Sequence, residues 1–216
     1  MTDPSGGSTS ARRPVAVPAL ALVAITVIGV TALLGGLDEV SDAPEQLSQG
    51  AVLDQGRYTT RFVESRVTVV RAETQFDEDK RFVEMVFDVT NTGDDTAPVG
   101  VPPAKAGSAL GAGFANSLIK IDPPVPEDAE SNAFTQSNKS RLLHPGTTNR
   151  VIVRYALKDG QKPPAKLTLD VAAFEYVAGF NDPWLQWNMV TDQVGDKHVP
   201  EIKARVTLPV KAGEGT

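Results

Sequence analysis

An uncharged apolar run from Pro14 to Leu37 constrains this chain more than any other feature of its sequence. As a helix, its 24 residues would extend roughly 36 Å at about 1.5 Å per residue, and the hydrocarbon core of a bilayer is about 30 Å thick. Arg12 and Arg13 precede the run, and no Lys or Arg follows it before Arg57. The positive-inside rule therefore predicts an uncleaved signal anchor at 14–37, a cytoplasmic disordered tail at 1–13 and an extracytoplasmic remainder.

Two other interpretations of this run stay open. A cleaved signal peptide also has a basic region before an apolar one, but its apolar part is usually about 7 to 15 residues long. The nearest small-residue segment, Ser41 to Ala43, is followed by Pro44, which disfavours cleavage there. The absence of Cys excludes a lipidated N-terminus. A buried soluble helix is the third interpretation, and Pro18 disfavours it because proline interrupts helices in water.

Composition narrows the classes of function for the remainder. The formal net charge of the whole chain is −6, and an acidic surface repels phosphate backbones, so no nucleic-acid partner is expected. Residues 38–56 have few large apolar side chains and no clean period, which predicts a stalk. Residues 57–210 can build one core, stabilised by packing because no disulfide is possible. Residues 211–216 are expected to be a disordered C-terminus.

Alternation of apolar and polar residues predicts strands in 57–210. It is clearest in Arg81–Asn91, where four apolar residues share one face and Glu84 and Asp88 share the other. No segment keeps a 3.6-residue apolar period, so helices beyond single turns are not expected. Ala97–Asn116 and Pro126–Asn138 are predicted to be irregular. The other predicted strands are Arg57–Val63, Arg66–Ala72, Leu118–Ile121, Val151–Leu157, 167–171 and 202–208. The pattern predicts an all-β fold, an immunoglobulin-like β-sandwich.

Several of these segments also suggest a family. Val86 to Asp94, Leu143 to Gly146 and Arg150 to Tyr155, followed by Asp159-Gly160 and Leu167 to Leu169, resemble an uncharacterised immunoglobulin-like domain family of Gram-positive surface proteins and lipoproteins. The Ala-, Val-, Gly- and Arg-rich usage is typical of actinobacteria. The resemblance implies a surface domain with no general enzymatic activity and no catalytic residues to transfer.

The residues that could carry chemistry form no convincing site. With two histidines and no Cys, a zinc or copper site would depend mostly on carboxylates. Asp77 to Asp79 and Asp94-Asp95 lack the alternating spacing of a calcium loop and are expected to be solvated turns. Ser117 and Lys120 match a Ser-x-x-Lys pattern, but a strand would put them on opposite faces. No catalytic residue, metal or cofactor is therefore predicted.

One aromatic segment, Phe174 to Trp187, has the composition of a contact surface. Rings supply a large contact area at small entropic cost, and they can stack on sugars, anchor a protein or cap a sandwich as ordinary core. All three roles stay open at this point. The residues predicted to bind a partner or ligand are Tyr176, Phe180, Trp184 and Trp187.

These observations predict a membrane-anchored, non-enzymatic accessory domain of the cell envelope that acts by protein recognition or scaffolding. One alternative is a stand-alone surface domain that binds a small ligand or sugar through Phe180, Trp184 and Trp187. A hydrolase with an unrecognised site is a remote alternative.

Overall fold

A computed structural model describes residues 43–72, 78–103, 105, 111–126, 128–135, 138–178 and 184–212. These residues form strands and one short 3-10 helix, Phe114–Ser117, so the prediction of an all-β fold is confirmed. None of the helical structure in these ranges is long and apolar enough to cross a bilayer. The predicted anchor at 14–37 and the tail before it lie outside the described residues.

Sixteen strands form in the described ranges, and most are short. In chain order they are β1 (Glu45–Ser48), β2 (Val52–Asp54), β3 (Tyr58–Val70), β4 (Lys80–Asn91), β5 (Ala97–Pro98), β6 (Lys120–Asp122), β7 (Glu130–Thr135), β8 (Asn138–Ser140), β9 (Leu142–Leu143), β10 (Thr148–Ala156), β11 (Lys166–Val171), β12 (Phe174–Ala178), β13 (Leu185–Met189), β14 (Thr191–Val194), β15 (Lys197–Pro200) and β16 (Ala204–Lys211).

The main sheet has ten strands, in the order β6-β11-β16-β3-β4-β10-β7-β8, with β1 paired to β16 and β2 paired to β3. Strand β16 joins two groups of strands within this sheet. One group is β6, β11, β16 and β1, and the other is β2, β3, β4, β10, β7 and β8. Residues 204–209 of β16 pair antiparallel with β11, whereas Val210 and Lys211 pair in parallel with Ser65 and Arg66 of β3. Strands β12–β13, β14–β15 and β5–β9 form separate two-stranded pairs.

Side chains from both groups of strands form one hydrophobic core. In β4 the predicted inward residues Val83, Met85, Phe87 and Val89 are all buried, which confirms the alternation read from the sequence. Strands β11 and β16 contribute Leu167, Leu169, Val206 and Leu208 to the same core. The immunoglobulin-like topology stays a prediction.

Strand β3 replaces the two strands predicted at Arg57–Val63 and Arg66–Ala72. Its register against β4 shifts between Phe62 and Glu64, so Val63 is the extra residue of a β-bulge. Phe62 is buried before the bulge, and Ser65 and Val67 are buried after it. Even-numbered residues therefore face inward before the bulge, and odd-numbered residues face inward after it. In the sequence, this break in the alternation looks like the end of one strand and the start of another.

The predicted stalk at 38–56 is wrong for its described part, because the folded unit begins at Pro44. Strand β1 pairs in parallel with β16, and β2 pairs antiparallel with β3. Gln55 is fully buried, and its Nε2 donates hydrogen bonds to Ser117 Oγ and to the Ala172 carbonyl oxygen, both at 2.8 Å. Strands of three or four residues are too short to show a period.

Three other segments also differ from the prediction. The range predicted to be irregular at 126–138 contains β7, and its neighbour β8 begins at Asn138. Leu118 follows the 3-10 helix instead of starting a strand, and β6 begins at Lys120. The last strand extends to Lys211, inside the predicted disordered C-terminus, while residues 213–216 lie outside the described part.

Replacing Leu53 with Ala tests whether β2 is part of the folded core. Leu53 is 3% exposed, whereas its neighbour Val52 is 57% exposed. We expect L53A to lower the free energy of unfolding by about 2–4 kcal/mol, since a buried Leu leaves a cavity. The matched variant V52A should change it by less than about 0.5 kcal/mol. Urea unfolding of the full chain measures both, and equal small effects would restore the stalk interpretation.

Candidate functional site

The predicted aromatic segment folds as a β-hairpin, and one of its faces is apolar. Strands β12 and β13 pair antiparallel, and alternation puts three cross-strand pairs on the same side. We call this side the aromatic face; its pairs are Phe174 with Met189, Tyr176 with Trp187, and Ala178 with Leu185. The opposite side carries Glu175, Val177, Gln186 and Asn188.

Exposure increases along the aromatic face from its base to its tip. Phe174 is buried in the main core, and Met189 packs against that core. Farther out, Tyr176 is 50% exposed and Leu185 is 58% exposed, while Trp184 beside the tip is 76% exposed. The hairpin is therefore anchored in the core at one end and presents large apolar side chains to solvent at the other.

Two glycines allow the β12–β13 hairpin to lie close to the strands beside it, one at Trp187 and one at the Phe174 backbone. A Cβ on Gly93 would lie 2.9 Å from Trp187 Nε1, which is closer than real contacts allow. Gly56 has a left-handed φ of +82°, and a Cβ there would collide with the Phe174 carbonyl oxygen. The backbone N–H of Phe174 donates to the Gln55 carbonyl oxygen at 2.7 Å. The base of the hairpin is thus attached by direct backbone contact.

Arg57 is a buried cation at the base of the aromatic face. It is 7% exposed, and its Cζ lies 5.8 Å from the centroid of the Tyr58 ring and 6.0 Å from that of the Trp187 ring. Its NH1 group donates to the Ala112 carbonyl oxygen at 3.2 Å, and Nε has no hydrogen-bond partner. The two ring faces and one carbonyl oxygen thus supply the favourable contacts of the guanidinium group. Arg57 links the hairpin to the segment around Ala112.

Tyr58 is the fully buried residue whose ring contacts the guanidinium group of Arg57. Its ring makes edge contacts with Phe174 at 5.4 Å and Phe114 at 6.0 Å between centroids. Its hydroxyl donates to the same Ala112 carbonyl oxygen that accepts from Arg57. Burial raises the pKa of Tyr58 to about 12, and the charge of Arg57 lowers it by less. Tyr58 therefore stays neutral at neutral pH and acts as packing.

The structure separates the four residues predicted to bind a partner or ligand. Tyr176 and Trp187 face each other across the hairpin, with ring centroids 5.2 Å apart. Trp184 is highly exposed, and Phe180 lies outside the described residues. Core capping, one of the open alternatives, applies to Phe174 and to the inner side of Trp187. Tyr176, which is half exposed, can also make an outward contact.

Sequence reasoning missed Arg57, Gly56, Gly93 and Leu185. The alternation of apolar and polar residues in Leu185 to Met189 could have indicated the second strand of the hairpin. No local signal relates Gly56, Gly93 and Trp187, because their contact joins positions far apart in the chain. From the sequence, Arg57 is only the first basic residue after the apolar run and the first residue of a predicted strand.

The other residues considered for catalysis or metal binding do not form a site within the described ranges. Ser117 is buried, and its Oγ donates to the Phe114 carbonyl oxygen at 2.7 Å, whereas Lys120 is exposed. His144 is exposed, with Nδ1 3.1 Å from Thr96 Oγ1, and His198 is exposed on β15. Within the described ranges, no group of three or more acidic or histidine side chains could hold a metal ion. Asp77, part of one acidic cluster, lies outside those ranges.

Three cavities with described linings have volumes of about 370, 430 and 280 Å³. The first lies beside Gly100, Asn116 and Ser131, and the second lies at the connection between β10 and β11. None of the three is lined by a residue of the aromatic face. Tyr176 and Leu185 are at least half exposed, and an open surface of this kind suits a macromolecular partner better than a small enclosed ligand.

Searches of protein-family models, curated proteins and solved structures find no significant match to this chain. Its function is therefore inferred from its own residues.

Adding a methyl group at Gly93 tests the contact that positions Trp187. We expect G93A to lower the free energy of unfolding by about 1–3 kcal/mol, as overpacked sites do. In a W187A background the same change should cost less, because the indole that it would strike is gone. A double-mutant cycle measured by urea unfolding gives this coupling. Equal costs in both backgrounds would mean that Trp187 does not rest on Gly93.

Proposed function

We propose that this chain is a membrane-tethered accessory domain of a bacterial cell envelope, which acts outside the membrane by protein recognition and carries no enzymatic activity. The aromatic face of the β12–β13 hairpin is its recognition surface. The proposed fold is an immunoglobulin-like sandwich. It is supported by two groups of strands that share one core and by the resemblance to Gram-positive surface domains.

The proposed tether is supported by the sequence of the N-terminal region. The uncharged run at 14–37 has the length of a membrane span, and the arginines before it favour an internal N-terminus. The chain has no Cys, so the folded unit relies on packing and not on disulfides. The apolar run and the arginines before it favour an external location for the folded unit.

The exposure of Tyr176 and Leu185 on a hairpin anchored in the core is the observation that carries the recognition proposal. Tyr and Trp are enriched at interfaces because a rigid ring buries much area and loses little entropy. Pairing across the hairpin and contact with the domain body hold these rings in place before binding, which reduces the entropic cost of association. The opposite side of the hairpin carries Glu175, Gln186 and Asn188, which are polar and compatible with solvent.

The second candidate is a sugar or small-ligand site formed by Phe180, Trp184 and Trp187. Stacking on a sugar needs an open ring face, and Trp184 is 76% exposed. Trp187 fits this role less well, because one side of its indole lies against Gly93. Protein recognition, which uses the outward side of the hairpin as it stands, is therefore the better supported proposal.

Alkaline phosphatase fused after Thr216 tests the tether and its orientation. We expect an active fusion in the membrane fraction, since the enzyme folds only outside the cytoplasm. A fusion after Arg13, on the other side of the apolar run, is the matched control and should be inactive. An inactive fusion after Thr216 would reverse the proposed orientation, and an active soluble product would remove the tether.

A photo-crosslinking amino acid in place of Tyr176 tests recognition in intact membranes. We expect a discrete protein adduct from position 176 and none from Gln186, which is exposed on the opposite side of the same hairpin. Truncation of a contact residue of this kind typically costs about 2 kcal/mol, or roughly 30-fold in affinity. Y176A should therefore weaken binding of the identified partner by about that factor. Equal labelling from both positions, or none from 176, would contradict the proposal.

A further inference from the structure

The first half of strand β7 has a neighbouring strand on one side only. Residues 130–132 pair with β10, but β8, on the other side of β7, pairs only with residues 133–135. Within the described ranges, no strand covers 130–132 on that second side. Such an edge presents backbone N–H and C=O groups with which another extended chain can pair.

The edge is open because the chain turns away from β7 at Arg141. Ser140 is the last residue of β8, and Leu142 already pairs with Pro98 of β5. The Arg141 carbonyl oxygen accepts from the Val99 N–H at 2.8 Å, so backbone contact fixes this corner. Pairing with β5 therefore draws the chain away from the start of β7.

The first of the three cavities, about 370 Å³ in volume, lies at this open edge, and we call it the edge cleft. It is lined by Ala129, Glu130 and Ser131 from β7 and the residue before it, and by Pro98, Gly100, Val101, Asn116 and Arg141. Ligand pockets occupy about 300 to 1,000 Å³, so its size suits a bound segment. Val101 is exposed, and so is Leu142 beside Pro98. Apolar surface therefore flanks the cleft.

Ser131 brings a buried hydroxyl without a partner to the edge cleft. The residue is 5% exposed, and its Oγ makes no hydrogen bond. Asn132, the next residue, is 4% exposed, and its Oδ1 makes none either. Buried polar side-chain atoms have a partner in the large majority of cases. Two unpartnered atoms on neighbouring residues of an open edge therefore favour a site at which another molecule supplies the partners.

The charges at the edge cleft favour an acidic ligand. Glu130 is already engaged, since Arg154 donates to its Oε2 from NH2 at 3.1 Å and from Nε at 3.3 Å. Arg141 is exposed and makes no ion pair with a described residue. A guanidinium group binds a carboxylate through parallel hydrogen bonds. A carboxylate is therefore the ligand group that complements Arg141.

We propose that the open edge at 130–132 binds a short extended peptide segment of another protein by strand addition, with an acidic side chain of that segment paired to Arg141. The segment pairs with those backbone groups of 130–132 that point away from β10, and it bonds to the Ser131 hydroxyl. Three strand residues extend about 10 Å, so the site takes a short segment. No residue of the aromatic face lines the cleft, and the proposal does not depend on the tether.

A phage library of short random peptides, selected on the full chain, tests strand addition. We expect enriched peptides to contain Asp or Glu and to lack Pro, because an added strand needs its N–H groups. In a synthetic copy of one of these peptides, N-methylation of alternate amides should weaken binding by about tenfold or more. N-methylation of the intervening amides should have little effect, since only alternate N–H groups face a neighbouring strand. Equal effects of both patterns, or no enrichment, would overturn strand addition.

Charge reversal at Arg141 tests the ion pair. R141E should weaken binding of the acidic peptide by about tenfold or more, because a hydrogen-bonded ion pair is replaced by repulsion. The matched control R71E makes the same change at an exposed residue that lines none of the three cavities, and it should leave the affinity unchanged. Replacing the acid of the peptide with its amide should remove the effect of R141E. Equal effects of R141E and R71E would contradict the assigned pair.

Ser131→Ala separates peptide binding from stability. Because its hydroxyl has no partner in the free chain, S131A should leave the urea midpoint unchanged or raise it, while peptide binding weakens by about tenfold. S65A is the matched control, since Ser65 Oγ is also buried and unpartnered but Ser65 does not line the cleft. It should leave peptide binding unchanged. A lower midpoint in S131A with unchanged peptide affinity would show a structural hydroxyl and overturn its role in binding.

Two further measurements identify other outcomes. Y176A, which alters the aromatic face, should leave the peptide affinity unchanged, and a loss of binding would place the peptide on that face and overturn the edge site. Light scattering should show a mass that does not depend on concentration. A dimer that R141E dissociates would identify a second copy as the occupant and overturn the peptide proposal. The crosslinking result at position 176 stands or fails independently of these measurements.

Discussion

The backbone pairing of β16 is the constraint on which the rest of the structure depends. One stretch of this strand pairs with β11 and β1, and its last two residues pair with β3. Both groups of strands are therefore held together by one continuous segment, and their inward side chains meet in one core. The point where the chain enters and the bases of both hairpins lie beside the start of β16, so its register also places the candidate site.

The aromatic hairpin combines a structural base with an exposed tip. Phe174 and Met189 belong to the core or pack against it, and Trp187 rests against Gly93. Burial at the base supplies the free energy that orders the hairpin, so Tyr176 and Leu185 are held in place without a partner. A surface ordered in advance loses less entropy when it binds. Stability and recognition are thus supplied by different residues of the same two strands.

Prediction from sequence succeeded where one strand is long and has one buried face. The alternation in β4 is clear because its inward residues all enter the core. It failed where a residue interrupts the period, as Val63 does at the bulge in β3, and where strands are too short to show one, as in β1 and β2. Among the candidate site residues, composition identified Tyr176, Trp184 and Trp187 as a cluster. It missed Arg57 and the two glycines, whose roles depend on contacts between distant segments.

The sequence by itself determined the all-β class, the absence of disulfides and the apolar N-terminal run, because these follow from local composition and period. Only the tertiary structure decided which aromatic side chains are core and which are surface. That division depends on the space that Gly93 leaves for Trp187 and that Gly56 leaves for the Phe174 carbonyl oxygen. It also depends on the register of β11, β16 and β1, which brings Val171 and Glu45 to the same end. Such proximity is produced by pairing between distant segments, and no local pattern encodes it.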